Sequence, residues 1–243
     1  MTRAMPDQSD REGACHVAIL QPGYLPWLGY FDLLASADQF VLYDDVQFDK
    51  RSWRNRNRIL LQGNPFWLTV PVLQKSRMQQ LIKDTEIDGN RWIRKHLNSI
   101  RHAYRDAPYL DWCYPAIENW LLQRSYTMLL DLCLEGHETF CGLLGLNTSV
   151  QLSSEIGFQG VGRTERLVAI CGALRATRYI SCDASASYMK EDLWKERGIE
   201  LTYQNYHHPV YAQSANDFVS HLSTMDALMF LGPGTRELLR TKE

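Results

Sequence analysis

Between His16 and Tyr43 the chain changes character three times, and that order constrains the fold more than any other feature. The run His16-Val-Ala-Ile-Leu20 is short, apolar and partly β-branched, as a buried strand is. Gln21-Pro22-Gly23 breaks it. From Pro26 to Ala35, Leu28, Phe31, Leu34 and Ala35 recur at helical spacing behind a proline in the first turn. Gln39-Phe-Val-Leu-Tyr43 then reads as a second strand. Strand, turn, helix and strand in fewer than thirty residues predict the opening of a parallel α/β sheet of nucleotide-binding-like type.

The rest of the chain fits that frame with one interruption. Arg58–Leu61 and Phe66–Val70 read as a hairpin joined by Gly63-Asn64 and ended by Pro71. Residues 73–84 lack a pattern and are expected to be a flexible loop. From Arg91 to Leu144 the periodicity is helical: Trp92, His96, Ile100 and Tyr104 step by fours, Pro108-Tyr109 breaks the first helix, and two more follow at about 111–122 and 126–144. The stripe places His96 as a core-facing, hydrogen-bonded histidine. Alternation returns with a strand at 149–152, a helix at 163–174, a strand at 178–181, a helix at 191–197, a strand at 199–203 and a final helix from Leu222 to Phe230. Ser223 and Asp226 suit that last helix as N-cap and first-turn acid. The expectation is a polar, disordered leader over 1–15 and one α/β domain over 16–243, with a helical insert at about 91–144.

Composition narrows the function classes. A formal net charge of −2 argues against a protein built to grip a long nucleic acid. The six cysteines form no CxxC pair, so they read as small core residues in a reducing compartment rather than as a metal framework; no metal site is expected, and no cofactor can be assigned. The polar start and the absence of a long apolar stretch exclude a signal peptide and a membrane span, which places the protein in the cytoplasm and away from membranes.

Three segments are too polar and too aromatic for packing alone. The first, Gln21-Pro-Gly-Tyr-Leu-Pro-Trp-Leu-Gly-Tyr-Phe31, joins the first strand to the first helix, where ligands of open α/β sheets bind. Tyr24 and Trp27 could face a flat ligand and Gln21 could supply an amide; the plain alternative is an aromatic corner over the sheet end. The second, Asp44 to Arg58, follows the second strand and holds Lys50, Arg51, Arg54, Arg56 and Arg58 among Gln47, Trp53, Asn55 and Asn57. Guanidinium forks suit phosphate or carboxylate. Asp44 and Asp45 could hold Mg²⁺ with substrate phosphates, or Asp45 could act as a general base. In an extended stretch Asn55 and Asn57 face one way and the arginines the other; a solvated loop with internal ion pairs is the alternative. The third, Tyr203 to Gln213, carries His207-His208-Pro209, Tyr211 and Gln213. His208 is a candidate acid or base, against a structural His-Pro.

These segments resemble the WbqC-like family. The resemblance rests on Gln21-Pro-Gly-Tyr-Leu-Pro-Trp-Leu-Gly-Tyr-Phe31, Asp44-Asp-Val-Gln-Phe48, Asn55-Arg-Asn-Arg-Ile59, Phe66-Trp-Leu-Thr-Val-Pro71, His208-Pro-Val-Tyr-Ala-Gln213 and the Leu222–Asp226 to Gly232-Pro233 ending. It departs at Cys182-Asp183, where a glycine-led turn is expected. The resemblance implies a place in polysaccharide, amino-sugar or natural-product biosynthesis without naming a reaction. Where nucleotidyltransferase-like folds carry a histidine pair on the first turn, this chain has Tyr24, Trp27 and Tyr30, which counts against nucleotidyl transfer.

The function expected from these residues is amide formation on an amino sugar or small amine by acyl or aminoacyl transfer. Arg54, Arg56 and Arg58 hold phosphate or carboxylate, Asn55 and Gln47 orient the donor, and Asp45 or His208 takes the amine's proton. The donor is aminoacyl-tRNA, an acyl phosphate or a thioester. A non-catalytic sugar-nucleotide binding protein and an ATP- and Mg²⁺-dependent ligase are the alternatives.

Overall fold

The computed structural model describes residues 13–49, 52–74, 79–157, 162–215 and 217–240. Most of the expected leader and the pair Lys50 and Arg51 lie outside them. Order begins before the first strand, since the Cys15 carbonyl accepts from Thr177 and Arg178.

The strands β1 (His16–Leu20), β2 (Gln39–Leu42), β5 (Ser149–Leu152), β6 (Arg178–Ser181) and β7 (Glu200–Tyr203) form one parallel sheet in the order β5-β2-β1-β6-β7. A separate antiparallel pair joins β3 (Arg56–Leu61) to β4 (Asn64–Thr69). The chain starts in the middle of the large sheet, builds outward through β2 to β5, then returns to build β6 and β7 on the other side. The winding direction therefore reverses between β1 and β6, which opens a crevice at the carboxyl ends of those strands.

Both faces of the sheet are covered, which is why its strands are apolar runs rather than alternating ones. Ala18, Phe40, Leu42 and Ile180 face a core shared with α1 (Leu28–Ser36), α2 (Trp92–Ala103), α3 (Leu110–Leu122), α4 (Leu129–Leu144) and α8 (Thr224–Leu231). Val17, Ile19, Val41 and Tyr179 face α6 (Arg163–Ala173) and α7 (Glu191–Glu196), with Tyr179 stacked on Trp194 at 4.5 Å. The helical insert thus packs into the same core as α1.

Two tyrosines of the first turn and helix pin that insert. Tyr24 bonds His96 on α2 (2.9 Å) and Tyr30 bonds His137 on α4 (2.8 Å), all four side chains being buried. His96 is the core histidine its stripe predicts. Burial brings both imidazoles down to about 4, below the 6.5 of a free side chain. Burial raises the Asp226 carboxyl to about 6. The signs oppose: each histidine takes up a proton on unfolding between pH 6.5 and 4, and Asp226 releases one between about 6 and 3.8. At pH 5 the three together take up roughly one proton, so stability falls as pH drops through this window by about 1 kcal/mol per pH unit. Urea denaturation of Asp226→Asn across pH 4–6.5 is expected to show a steeper acid loss than the parent, because the opposing group is gone. An unchanged slope would contradict this.

Two local expectations shift. The hairpin loop is Gln62-Gly63, both with positive φ (51° and 74°), and Asn64 enters β4; positive φ at both positions is what a type I′ turn requires. The described end of the 73–84 segment is paired rather than loose: Phe48 donates to Gln80 and Ile82 to Val46. The Cys182-Asp183 step needs no glycine, since Cys182 is extended (φ −70°, ψ 149°) and Asp183 begins a 3-10 turn over Asp183–Tyr188. All six cysteines are free, and burial pushes the Cys113 and Cys133 thiols up to about 12, as packing residues behave. Among the described residues no helix is long and apolar enough to cross a membrane.

Candidate functional site

A cleft of about 500 Å³ opens where β1, β2 and β6 end. Gln21 comes from the end of β1. Tyr43, Gln47, Asp49 and Arg54 come from the segment after β2. Ser181 ends β6, Cys182, Ser185 and Tyr188 follow it, and Arg163 stands in the first turn of α6. Its lining combines two guanidiniums, two amides, hydroxyls and one accessible carboxylate.

Arg54 is the unusual member. Its Nη1 donates to the Gln21 carbonyl at 3.2 Å, its buried Nε has no hydrogen-bond partner, and among the described residues it makes no ion pair. Burial lowers its pKa, with Asp49 the strongest opposing influence. A desolvated cation with free donor capacity beside a cleft favours an anionic guest. Arg163, exposed, lies 5.5 Å over the Tyr188 ring. The Ser181 and Ser185 hydroxyls bond each other at 2.6 Å, and the Asp183 carboxylate accepts from the amides of Asn205 (2.7 Å) and Tyr206 (3.1 Å), tying the loops after β6 and β7 together.

The acidic pair after β2 is a clamp. Asp44, fully buried, accepts from the Ser153 hydroxyl (2.9 Å) and from the amide (3.0 Å) and hydroxyl (2.6 Å) of Ser154. It thereby caps α5 (Ser153–Ile156) and locks the end of β2 to the end of β5. Asp45 accepts from Ser153 and pairs with Arg166 on α6, whose guanidinium lies 5.0 Å over Tyr43. Asp45 is thus engaged by an arginine and a hydroxyl at the cleft's rim.

The other predicted residues are divided by the fold. Gln21, Gln47 and Arg54 line the cleft. Tyr24 has no exposed surface and packs between Trp92, His96 and Trp120. Trp27 meets Tyr206 edge-on and stacks on His221. Asn55 and Asn57 share one side of the strand, as the alternation predicts; that side is the inner one, where they donate to the Val70 and Leu25 carbonyls. Arg56 and Arg58 lie on the other face of the hairpin against Trp67 and Trp53. His208 does not line the cleft; it sits among Tyr206, Tyr211, Phe218 and His221, its pKa lowered by burial. Tyr211 and Gln213 both donate to the buried Asp226 carboxylate (2.9 and 2.8 Å) and strap their loop to α8. Asp226 is a network centre where the sequence suggests only a first-turn acid. The residues that sequence reasoning missed are Asp49, Arg163, Ser181, Ser185 and Tyr188. The hydroxyl-rich run after the strand at 178–181 was the available signal, because strand ends share one edge of a parallel sheet.

The turn and the arginine segment touch backbone to backbone. Tyr24 donates to the Arg54 carbonyl, and a Cβ on Gly23 would stand 2.8 Å from the Trp53 carbonyl oxygen. Gly23→Ala is therefore expected to lower stability by about 1–3 kcal/mol, read as a reduced urea midpoint; a midpoint equal to the parent's would show that the contact can relax.

A profile of the WbqC-like protein family matches residues 21–237. The chain belongs to that family. An uncharacterized protein of Mycobacterium tuberculosis (strain ATCC 25618 / H37Rv), Rv1507c, is 36% identical over 229 residues, which is 92% of this chain and 97% of the relative. No solved structure matches. In this WbqC-like protein every cleft residue named above falls inside the matched span.

Proposed function

We propose that this WbqC-like protein forms an amide on an amino sugar or small amine by acyl or aminoacyl transfer in the cleft at the ends of β1, β2 and β6. The observation that supports it most is Arg54, a half-buried guanidinium whose Nε is buried without a partner and which makes no ion pair among the described residues, beside a cleft that also offers Arg163. These two hold the phosphate or carboxylate of the donor or acceptor, and Gln21 and Gln47 orient it. Asp49, the accessible carboxylate of the cleft, replaces Asp45 and His208 as acceptor of the ammonium proton. The freed amine attacks the acyl carbon, the C–N bond forms as the bond to the leaving group breaks, and the second nitrogen proton leaves with that group. Aminoacyl-tRNA, acyl phosphate and thioester donors all meet these requirements, and the reaction belongs to polysaccharide or natural-product tailoring in the cytoplasm.

A second reading, sugar-nucleotide binding without turnover, is favoured by one observation: Asp45 and His208, the groups expected to move protons, are engaged by Arg166 and by an aromatic cluster. The two readings separate by mass spectrometry of the protein incubated with amino sugars and each donor class. The transferase reading expects an amide product that Asp49→Asn reduces by about 100-fold, within the range of general-base catalysis. Anion binding with no product from any donor supports the binding reading and overturns the transferase.

A further inference from the structure

The outer face of the β3–β4 hairpin carries rings and cations that the cleft does not use. Trp53 and Trp67 are 42% and 39% exposed. The Arg56 guanidinium lies 4.1 Å from the Trp67 ring centre, and that of Arg58 lies 5.4 Å from Trp53 and 5.7 Å from Trp67, with the two indoles 5.1 Å apart. Arg58 is fixed from behind, its Nη2 donating to the His221 carbonyl (3.1 Å) and the Ser220 carbonyl (3.5 Å). The buried Asn55 and Asn57 anchor the same stretch from the inner side. The result is a preorganised ladder in which guanidiniums alternate with indoles, and concentrated exposed aromatic surface of this kind marks an interaction site.

We propose that this face binds single-stranded nucleic acid. Unpaired bases stack on Trp53 and Trp67, while Arg56 and Arg58 neutralise the flanking phosphates. The combination selects the partner. An apolar protein surface would have to bury two guanidiniums, a neutral saccharide would use the rings but carries no charge to complement this face, and a duplex offers phosphates but no open base faces. A single strand offers both, and base–aromatic stacking tolerates any sequence. The footprint is a few nucleotides long, so a net charge of −2 does not oppose it. Trp53 immediately precedes Arg54, whose side chain turns into the cleft, so a strand on this face ends beside the cleft. The inference rests on the hairpin alone and holds whether or not the cleft performs acyl transfer.

Fluorescence anisotropy of a short, unstructured, labelled oligoribonucleotide tests it. Binding is expected to weaken with salt. Trp53→Ala and Trp67→Ala are each expected to reduce affinity about tenfold. Arg56→Gln with Arg58→Gln lowers the slope of log affinity against log salt by about 1.4. A urea midpoint close to the parent's certifies each variant; should one fail to fold, Trp53→Leu, which keeps apolar bulk and removes the ring face, carries the test, again with weakened binding expected. No binding, equal binding to duplex or heparin, preference for a neutral oligosaccharide, or affinities unmoved by these variants overturns the proposal. Loss of small-anion binding in Arg54→Met with oligonucleotide binding intact would separate this face from the cleft.

Discussion

Replacing Arg54 by methionine is expected to weaken binding of a phosphate-bearing ligand by about 100-fold, or roughly 2.7 kcal/mol, when titrated calorimetrically with inorganic pyrophosphate. The size follows from what the guanidinium has to give. Burial lowers its pKa, it spends one N–H on the Gln21 carbonyl, and its Nε is buried without a partner. An anion arriving there meets a cation already stripped of water, so each charge-assisted hydrogen bond is worth about 1.5–3 kcal/mol. Methionine keeps the apolar stem and removes the charge, which limits the loss of packing. Arg54→Lys keeps the charge without the planar fork and is expected to fall between the two. Arg163→Gln loses less, because an exposed guanidinium is screened. Equal affinity in parent and methionine variant would remove Arg54 from the ligand's path.

The largest effect on folding is expected from Asp44→Ala, about 3–5 kcal/mol of lost stability, read from urea unfolding. The carboxylate accepts three hydrogen bonds from Ser153 and Ser154 in a site with no exposed surface. Alanine leaves both Ser154 donors without their acceptor, and the single Ser153 proton, shared between Asp44 and Asp45, turns to Asp45 alone. The lock between β2 and β5 opens, and with it the segment that carries Gln47, Asp49 and Arg54. Asp44→Asn keeps the volume but misplaces a donor among donors, so it is expected to lose nearly as much. A midpoint near the parent's in both variants would mean that Asp44 is not a clamp.

The fold was legible in the sequence where packing alone decides it. The β1-turn-α1-β2 opening, the helical insert and the return to alternation all follow from apolar periodicity, because the central strands of the parallel sheet are buried on both faces. That Asn55 and Asn57 face away from Arg56 and Arg58 followed from alternation, but which side was the inner one did not. The site was less legible, because in these segments residue type does not reveal which partner a side chain takes. Tyr24, Asn55, Tyr211 and Gln213 read as ligand contacts yet hold the loops to the core through His96, Val70 and Asp226. Local spacing cannot show that Asp45 meets Arg166, more than a hundred residues away. The same separation hid Arg163, Ser181, Ser185 and Tyr188, which reach the cleft only because parallel strands place distant chain segments at one sheet edge.

The most direct test of the anion-binding cleft is a two-dimensional ¹H–¹⁵N spectrum followed through a titration with inorganic pyrophosphate. The side-chain Nε–H signals of Arg54 and Arg163 and the amides from Ser181 to Ser185 are expected to move together and saturate at one affinity. Shifts confined to Arg56, Arg58 or the His208–His221 cluster, with Arg54 unmoved, would contradict it.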